Sequence, residues 1–271
     1  PSSVGVQTVI DSSLALRLAL YNDEHVKYVK GNLMHIAVLA TNTDDSEFAA
    51  RHPRDVEKFR VLMQGVRPGW KITAFDLPKG EFPDDVQGFD GFLIGGSPSS
   101  VHDEDAWIER LFSVIRAAYA AGKPLAGACF GHQAIAKALG GTVDANPGPF
   151  VLGTAETEVT APAPWMEPVA SFRLAAAHGE QVTELPPGAE VVGWTPGCPA
   201  AAYRIGDRVF ATQYHPEMTP EFLAALVEEF APHFPAEVGQ MARASLALGT
   251  EGPRFAEWVA RFFERAKAVQ H

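Results

Sequence analysis

Gly127-Ala128-Cys129-Phe130-Gly131-His132-Gln133 is the stretch on which the fold turns, with an apolar run over residues 125–128 ahead of it and a helical pattern over 133–139 behind it. A buried strand, a sharp bend and a helix in that order present one side chain at the bend, and the two glycines let backbone pack closely on either side. The pattern predicts a nucleophile elbow with the Cys129 sulfur exposed at a helix N-terminus. Unpaired N–H groups and the positive end of the helix dipole favour thiolate there, and the thiolate is the form that attacks carbonyls. A cysteine used only as packing has no need of those glycines.

Working outward, Phe210-Ala211-Thr212-Gln213-Tyr214-His215-Pro216-Glu217 is a β-rich run ending in His-Pro-Glu. A strand places residues i and i+2 on one side, so extended backbone through Pro216 would aim His215 and Glu217 together. The carboxylate would orient the imidazole, and the imidazole would serve the thiol, in the chain order Cys, His, Glu. Each half recurs elsewhere. A strand, elbow and helix followed by a second strand ending in H-x-E is a demanding joint pattern.

On these residues the chain resembles the class I, triad-type glutamine amidotransferases, and is similar to the stand-alone amidotransferase domain of GMP synthase. The resemblance runs over residues 34–231 and includes a first strand from Met34, the glycine turn Gly95-Gly96-Ser97-Pro98 and the segment His178-Gly179-Glu180. It implies hydrolysis of the glutamine side-chain amide through a thioester on Cys129, with Cys129, His215 and Glu217 as the catalytic set. It also implies an oxyanion hole from Gly95, Gly96 and Phe130, and substrate contacts from Gln133, His178 and Gly179. Relatives read Gly-Gly-Pro where this chain has Ser97 inserted before Pro98, so the amide of Gly95, Gly96 or Ser97 can be the one that enters the site.

The residue types suit that chemistry independently. A primary amide needs a strong nucleophile, stabilisation of a developing oxyanion and an acid for the departing nitrogen. Cys129 would supply the first, the Phe130 N–H with an amide of the glycine turn the second, and His215 the third. No cofactor and no metal is called for. His132 with Cys129 and His215 would make a poor zinc site, since no further cysteine lies at ligand spacing.

Composition bounds the rest. With 271 residues, 46% of them hydrophobic, the chain can bury a sizeable core and is not a disordered segment. A net charge of -11 with no basic cluster argues against nucleic-acid or anionic-membrane partners. Only Cys129 and Cys198 are present, so a disulfide framework is not expected and a reducing cytoplasm fits. The run Leu14-Ala15-Leu16-Arg17-Leu18-Ala19-Leu20 is too short to span a membrane and lacks a secretory layout.

Alternating strand and helix patterns from Met34 onward predict an α/β fold: a flavodoxin-like, open, mostly parallel sheet with helices on both faces, a small antiparallel β addition and a C-terminal helical tail. Residues 46–66 have helical spacing, residues 103–121 form an amphipathic helix opened by Asp103-Glu104-Asp105, and residues 142–212 are β-rich. Three segments are expected: an extension over 1–33, peripheral or not native; the amidotransferase-like domain over 34–231; and the tail over 232–271. Trp258, Phe262 and Phe263 at helical spacing read as core or interface contacts. Glutamine is the expected small-molecule substrate, with a separate synthetase or ammonia-acceptor protein as partner and no oligomeric state specified. Two alternatives stand beside this: a cysteine hydrolase of another γ-glutamyl compound or peptide, and a non-catalytic regulatory subunit on the same fold.

Overall fold

Ile36, Ala37, Val38 and Leu39 are all buried to 1% exposure or less in the computed structural model, which describes residues 33–269. An unbroken apolar strand of this kind is the mark of a parallel strand covered on both faces. It is β1 (His35–Ala40), and it pairs in parallel with β2 (Lys71–Asp76) on one side and β3 (Gly91–Ile94) on the other. The parallel set continues through β4 (Leu125–Ala128) to β11 (Val209–Thr212). Antiparallel pairing then extends the same sheet through β10 (Cys198–Ile205), β9 (Glu190–Thr195), β6 (Val151–Val159) and β7 (Ser171–His178). The order is β2-β1-β3-β4-β11-β10-β9-β6-β7, and only β10 and β6 oppose the direction of the other seven. A separate antiparallel pair, β5 (Thr142–Ala145) with β8 (Glu180–Glu184), completes the small β addition.

The predicted helix over residues 46–66 is two helices, α1 (Glu47–Ala50) and α2 (Asp55–Val66). Pro53 lies between them. It has no N–H to continue the ladder and disfavours helical backbone at His52, while Ser46 caps α1 by accepting from the Ala49 N–H at 3.2 Å. Helices α3 (Ala106–Ala120) and α4 (Phe130–Ala138) cover one face of the sheet, their apolar stripes meeting Phe92, Leu125 and Val209.

The opposite face is closed by α2 and by α7 (Gly252–Val269). Trp258, Phe262 and Phe263 are fully buried, so the expected tail ends in a core helix. Phe255 stacks on Phe210 at 5.1 Å, Trp258 meets Phe172 edge-on at 5.3 Å, and each such side chain contributes roughly 1.5–3 kcal/mol of burial. Arg67, just past the end of α2, binds Glu257 and Glu264 of α7 at 2.9 and 2.6 Å. Between the sheet and α7 the chain forms α5 (Pro220–Phe230) and α6 (Ala236–Ser245), and the Ser245 hydroxyl accepts from the Thr154 N–H at 2.8 Å.

The expected extension, including its leucine-rich run, lies outside the described residues up to residue 32. Among the described residues no helix is long and apolar enough to cross a membrane. The carboxyl ends of β1, β3, β4 and β11 fall on one edge of the sheet, where open α/β sheets place their ligand crevices.

Candidate active site

Cys129 has φ 50° and ψ -107°, the one positive φ outside glycine among the described residues. The bend is held from every side. The Cys129 N–H donates to the Thr212 carbonyl at 3.0 Å, its own carbonyl accepts from Gln133 at 3.1 Å, and Gly131 donates to the Gly95 carbonyl at 3.0 Å. The elbow glycines are steric requirements: a Cβ on Gly127 would lie 2.7 Å from the Gly131 backbone, and one on Gly131 would lie 2.3 Å from the Ile94 carbonyl oxygen. The thiol is less exposed than its position suggested, at 5%, yet it lines a cleft of about 960 Å³. Its Sγ lies 3.8 Å from the Ala177 carbonyl and 3.7 Å from the Gln213 side-chain nitrogen.

His215 and Glu217 do meet, but not along a strand. β11 stops at Thr212, and the backbone of His215 instead bridges β7, donating its N–H to the Ala175 carbonyl at 2.8 Å. The chain then turns at Pro216, which has no N–H for a strand ladder. In this turn the His215 Nδ1–H donates to Glu217 Oε1 at 2.7 Å. Both side chains are buried, and His215 Nε2 has no hydrogen-bond partner among the described residues. Burial pulls the His215 pKa down, but the Glu217 carboxylate and the Cys129 sulfur outweigh it and hold the ring well above the usual histidine range.

Gly96 is the seam between the two halves. A Cβ there would stand 2.6 Å from His215 Cε1 and 3.7 Å from the Cys129 Cβ, so only glycine lets the ring lie beside the bend. The glycine turn also sorts its own donors. Gly95 was expected among the oxyanion donors, but its N–H is spent on the Leu39 carbonyl at 3.1 Å, because Gly95 still continues the β3 pairing with β1. That leaves the Gly96 and Ser97 amides on the turn, and the Phe130 N–H, which as the first in α4 has no acceptor within the helix. Thr41, at the end of β1, has its hydroxyl 3.0 Å and 2.9 Å from the Gly95 and Gly96 carbonyls, which fixes the turn.

Gln133, His178 and Gly179 also line the cleft. Gln133 gives its amide hydrogens to the Glu180 carbonyl at 2.8 Å and to Gln213 Oε1 at 3.2 Å, so its oxygen is the atom left for a ligand. His178 is buried at 4% and donates Nδ1–H to the Glu180 carbonyl at 3.0 Å. Burial, aided by the charge on His215, lowers its pKa to about 4, so the ring is neutral at pH 7 with a buried Nε2 acceptor. Gly179 is pressed against the Phe150 ring, 3.2 Å from where its Cβ would be.

Thr41, Ser100, Glu180 and Gln213 carry no role in the sequence reading. The Ser100 hydroxyl lies 2.9 and 3.0 Å from the two Glu180 carboxylate oxygens in the cleft wall, and Gln213 links Gln133 to the sulfur. Only the placement of Glu180 beside His178-Gly179 and of Gln213 two residues before His215 could have marked the latter pair. His132 takes no part in the cleft. Its ring is fully buried, donates Nε2–H to the Ala200 carbonyl at 2.9 Å, and has its pKa lowered to about 3 by burial. Cys198 is likewise buried, its thiol pushed up to about 12 by desolvation. Among the described residues no group of three or more His, Cys, Asp or Glu is placed to hold a metal ion.

Comparison with known proteins agrees with this architecture. Residues 70–231 match the family model for glutamine amidotransferase class-I. The chain is 32% identical to γ-glutamyl peptidase 4 of Arabidopsis thaliana over 69% of its own length and 77% of that protein. It is 33% identical to the glutamine-hydrolysing GMP synthase of Bordetella parapertussis over 55% of its length, a match that spans 29% of the synthase. In fold it resembles the crystal structure of a glutamine amidotransferase from Thermotoga maritima, with a TM-score of 0.67 and 18% identity, covering 86% of this chain and 98% of that one. With the elbow, the glycine turn and the His-Pro-Glu turn gathered on one sheet edge, the chain belongs to the class-I glutamine amidotransferase family.

Proposed function

We propose that this protein hydrolyses the γ-glutamyl amide of glutamine through a thioester on Cys129. The Cys129 thiol passes its proton to His215 Nε2 as the sulfur attacks the side-chain carbonyl carbon, and the tetrahedral oxyanion is received by the N–H groups of Phe130 and Gly96. His215, held as an imidazolium by Glu217, gives its Nε2 proton to the nitrogen as the C–N bond breaks, and ammonia leaves. Water, deprotonated by the now neutral ring, attacks the thioester; glutamate departs and the thiol is restored. The observation that carries this reading is the seam at Gly96, which lets the His215 ring lie directly beside Cys129 at the mouth of the cleft.

Gln133 Oε1 would accept from the substrate ammonium, with the Glu180 carboxylate close by. On this reading ammonia passes to a separate synthetase or other acceptor protein, and a reducing compartment such as the cytoplasm suits the free thiol. The test is release of ammonia from glutamine by the purified protein and by Cys129→Ala. Turnover that survives the substitution, or no turnover in either, sinks the proposal.

A second reading is favoured by the size of the cleft. At about 960 Å³ it sits at the top of the roughly 300–1,000 Å³ range that holds drug-sized ligands, far more than one amino acid fills. A γ-glutamyl peptide would be cut by the same steps, with an amine leaving in place of ammonia. Release of glutamate from a γ-glutamyl dipeptide, followed against ammonia release from glutamine, separates the two.

A further inference from the structure

Resting on the Cys129 hydrolysis reading, we propose that the leaving-group side of the cleft selects γ-glutamyl amides whose amine carries an aromatic or bulky apolar group, such as γ-glutamyl-phenylalanine. The departing nitrogen must lie at His215 Nε2 to receive its proton, and one wall of the cleft reaches these reacting atoms through Ala177, against which a group bonded to that nitrogen can lie. That wall is apolar. Met218 comes first, and then Phe222, Leu226 and Phe230 repeat along α5 at the four-residue spacing that puts them on one face. Phe150 and Phe234, stacked at 4.5 Å and 15°, complete the wall.

These side chains form one apolar cluster with Ala177, whose carbonyl is 3.8 Å from the Cys129 sulfur. The wall therefore begins at the reacting atoms. It is also preformed: Phe48 backs both Phe222 and Phe230, at 5.9 and 6.1 Å between rings, and the Lys58 ammonium sits 3.5 Å from the centre of the Phe222 ring. Except for Leu226, the residues of the wall are only partly buried. Half-covered rings beside a nucleophile gain from an apolar ligand group what they now lack, whereas ammonia or a glycine amine leaves them facing water. The polar groups, Gln133, Glu180 and Ser100, sit where the glutamyl end would lie.

The chemistry balances with water alone. The C–S bond forms first, the C–N bond breaks as the tetrahedral oxyanion collapses and His215 protonates the departing amine, and water then cleaves the thioester to give glutamate.

The decisive measurement is kcat/KM for γ-glutamyl-phenylalanine, γ-glutamyl-glycine and glutamine with wild type, Phe222→Ala, Phe222→Leu and Cys129→Ala. Wild type should prefer the phenylalanine dipeptide to the glycine one by at least roughly 10-fold, the lower end of what a single methylene is worth in an apolar pocket. Phe222→Ala should reduce that ratio about tenfold and Phe222→Leu less. A wild-type ratio near one, or a ratio that Phe222→Ala leaves in place, overturns the proposal. The wild-type ratio decides even where a variant does not fold. Cys129-dependent glutamine cleavage with no aromatic preference removes this inference alone, and no cleavage of any of the three substrates removes the hydrolase reading with it.

Discussion

A Cβ atom on Gly252 would stand 2.2 Å from the carbonyl oxygen of Pro216, so the first turn of α7 is pressed directly onto the turn that joins His215 to Glu217. The same junction is tied to the sheet, where the Glu251 N–H donates to the Arg173 carbonyl at 2.7 Å and the Glu251 carboxylate accepts from the Arg173 N–H at 2.9 Å. Gly252→Ala should therefore move Pro216. We expect a loss of about 1–3 kcal/mol by urea unfolding, as for other overpacked sites, and a fall of at least tenfold in kcat with little change in KM. An unaltered kcat in a folded variant would mean that the turn is held by other contacts.

Strain at the elbow can be read in stability. A non-glycine residue at φ 50° and ψ -107° costs on the order of 1–3 kcal/mol. Cys129→Gly should relieve it and Cys129→Ala should not. Both variants are expected to lack hydrolysis, yet the glycine variant should melt at the higher temperature, despite glycine's greater entropy loss on folding. Equal melting points would show that the backbone at 129 stores no strain.

The two glycines of the turn after β3 should separate. A Cβ on Gly96 meets the His215 ring, whereas one on Gly95 meets Phe59 Cε2 at 3.2 Å, away from the thiol. Gly96→Ala is expected to push the His215 ring away from Cys129 and reduce kcat at least tenfold. Gly95→Ala should cost stability first. Thermal unfolding and kcat measured on the pair decide the matter, and the reverse ranking would mean that the Gly96 contact does not hold the ring beside the thiol.

Acid should destabilise the fold through two buried neutral rings. His132 and His178 have folded-state pKa values of about 3 and about 4 against 6.5 when exposed. Between those values the unfolded chain binds protons that the folded chain refuses, so stability is full above about pH 6.5 and falls as pH drops. His215 works in the opposite sense: its contribution is complete below about 6.5 and fades as pH rises through its raised pKa. In urea unfolding followed from pH 7 to 4, His132→Gln, whose amide still reaches Ala200, should flatten the acid slope by up to about 1.4 kcal/mol per pH unit. Parallel curves for the two proteins would remove His132 as the cause.

Much of the site was legible because its signals are local. The glycines around Cys129 and the His-x-Glu spacing are set by bonded geometry within a few residues, and the structure gathers both at one end of the sheet. Gln133, His178 and Gly179 were named only through resemblance, and the structure places all three in the lining of the cleft. What escaped was long-range. The Gly95 N–H is consumed by Leu39, fifty-odd residues earlier in the chain, and Thr41 grips the glycine turn across a similar gap. The break at Pro53 was readable from proline chemistry, yet the repeating apolar pattern on either side of it reads as one helix.

By itself the amino-acid order determined the alternating strands and helices, the bend at Cys129 and the helical spacing of the C-terminal aromatics, since periodicity and glycine sterics act over single turns. Tertiary structure alone decided which amides remain free around the sulfur, that His215 joins β7 in place of a strand of its own, and that a phenylalanine wall flanks the thiol. The reason is physical: a hydrogen-bond donor is available or spent, and a ring is covered or bare, according to neighbours that only folding brings within reach.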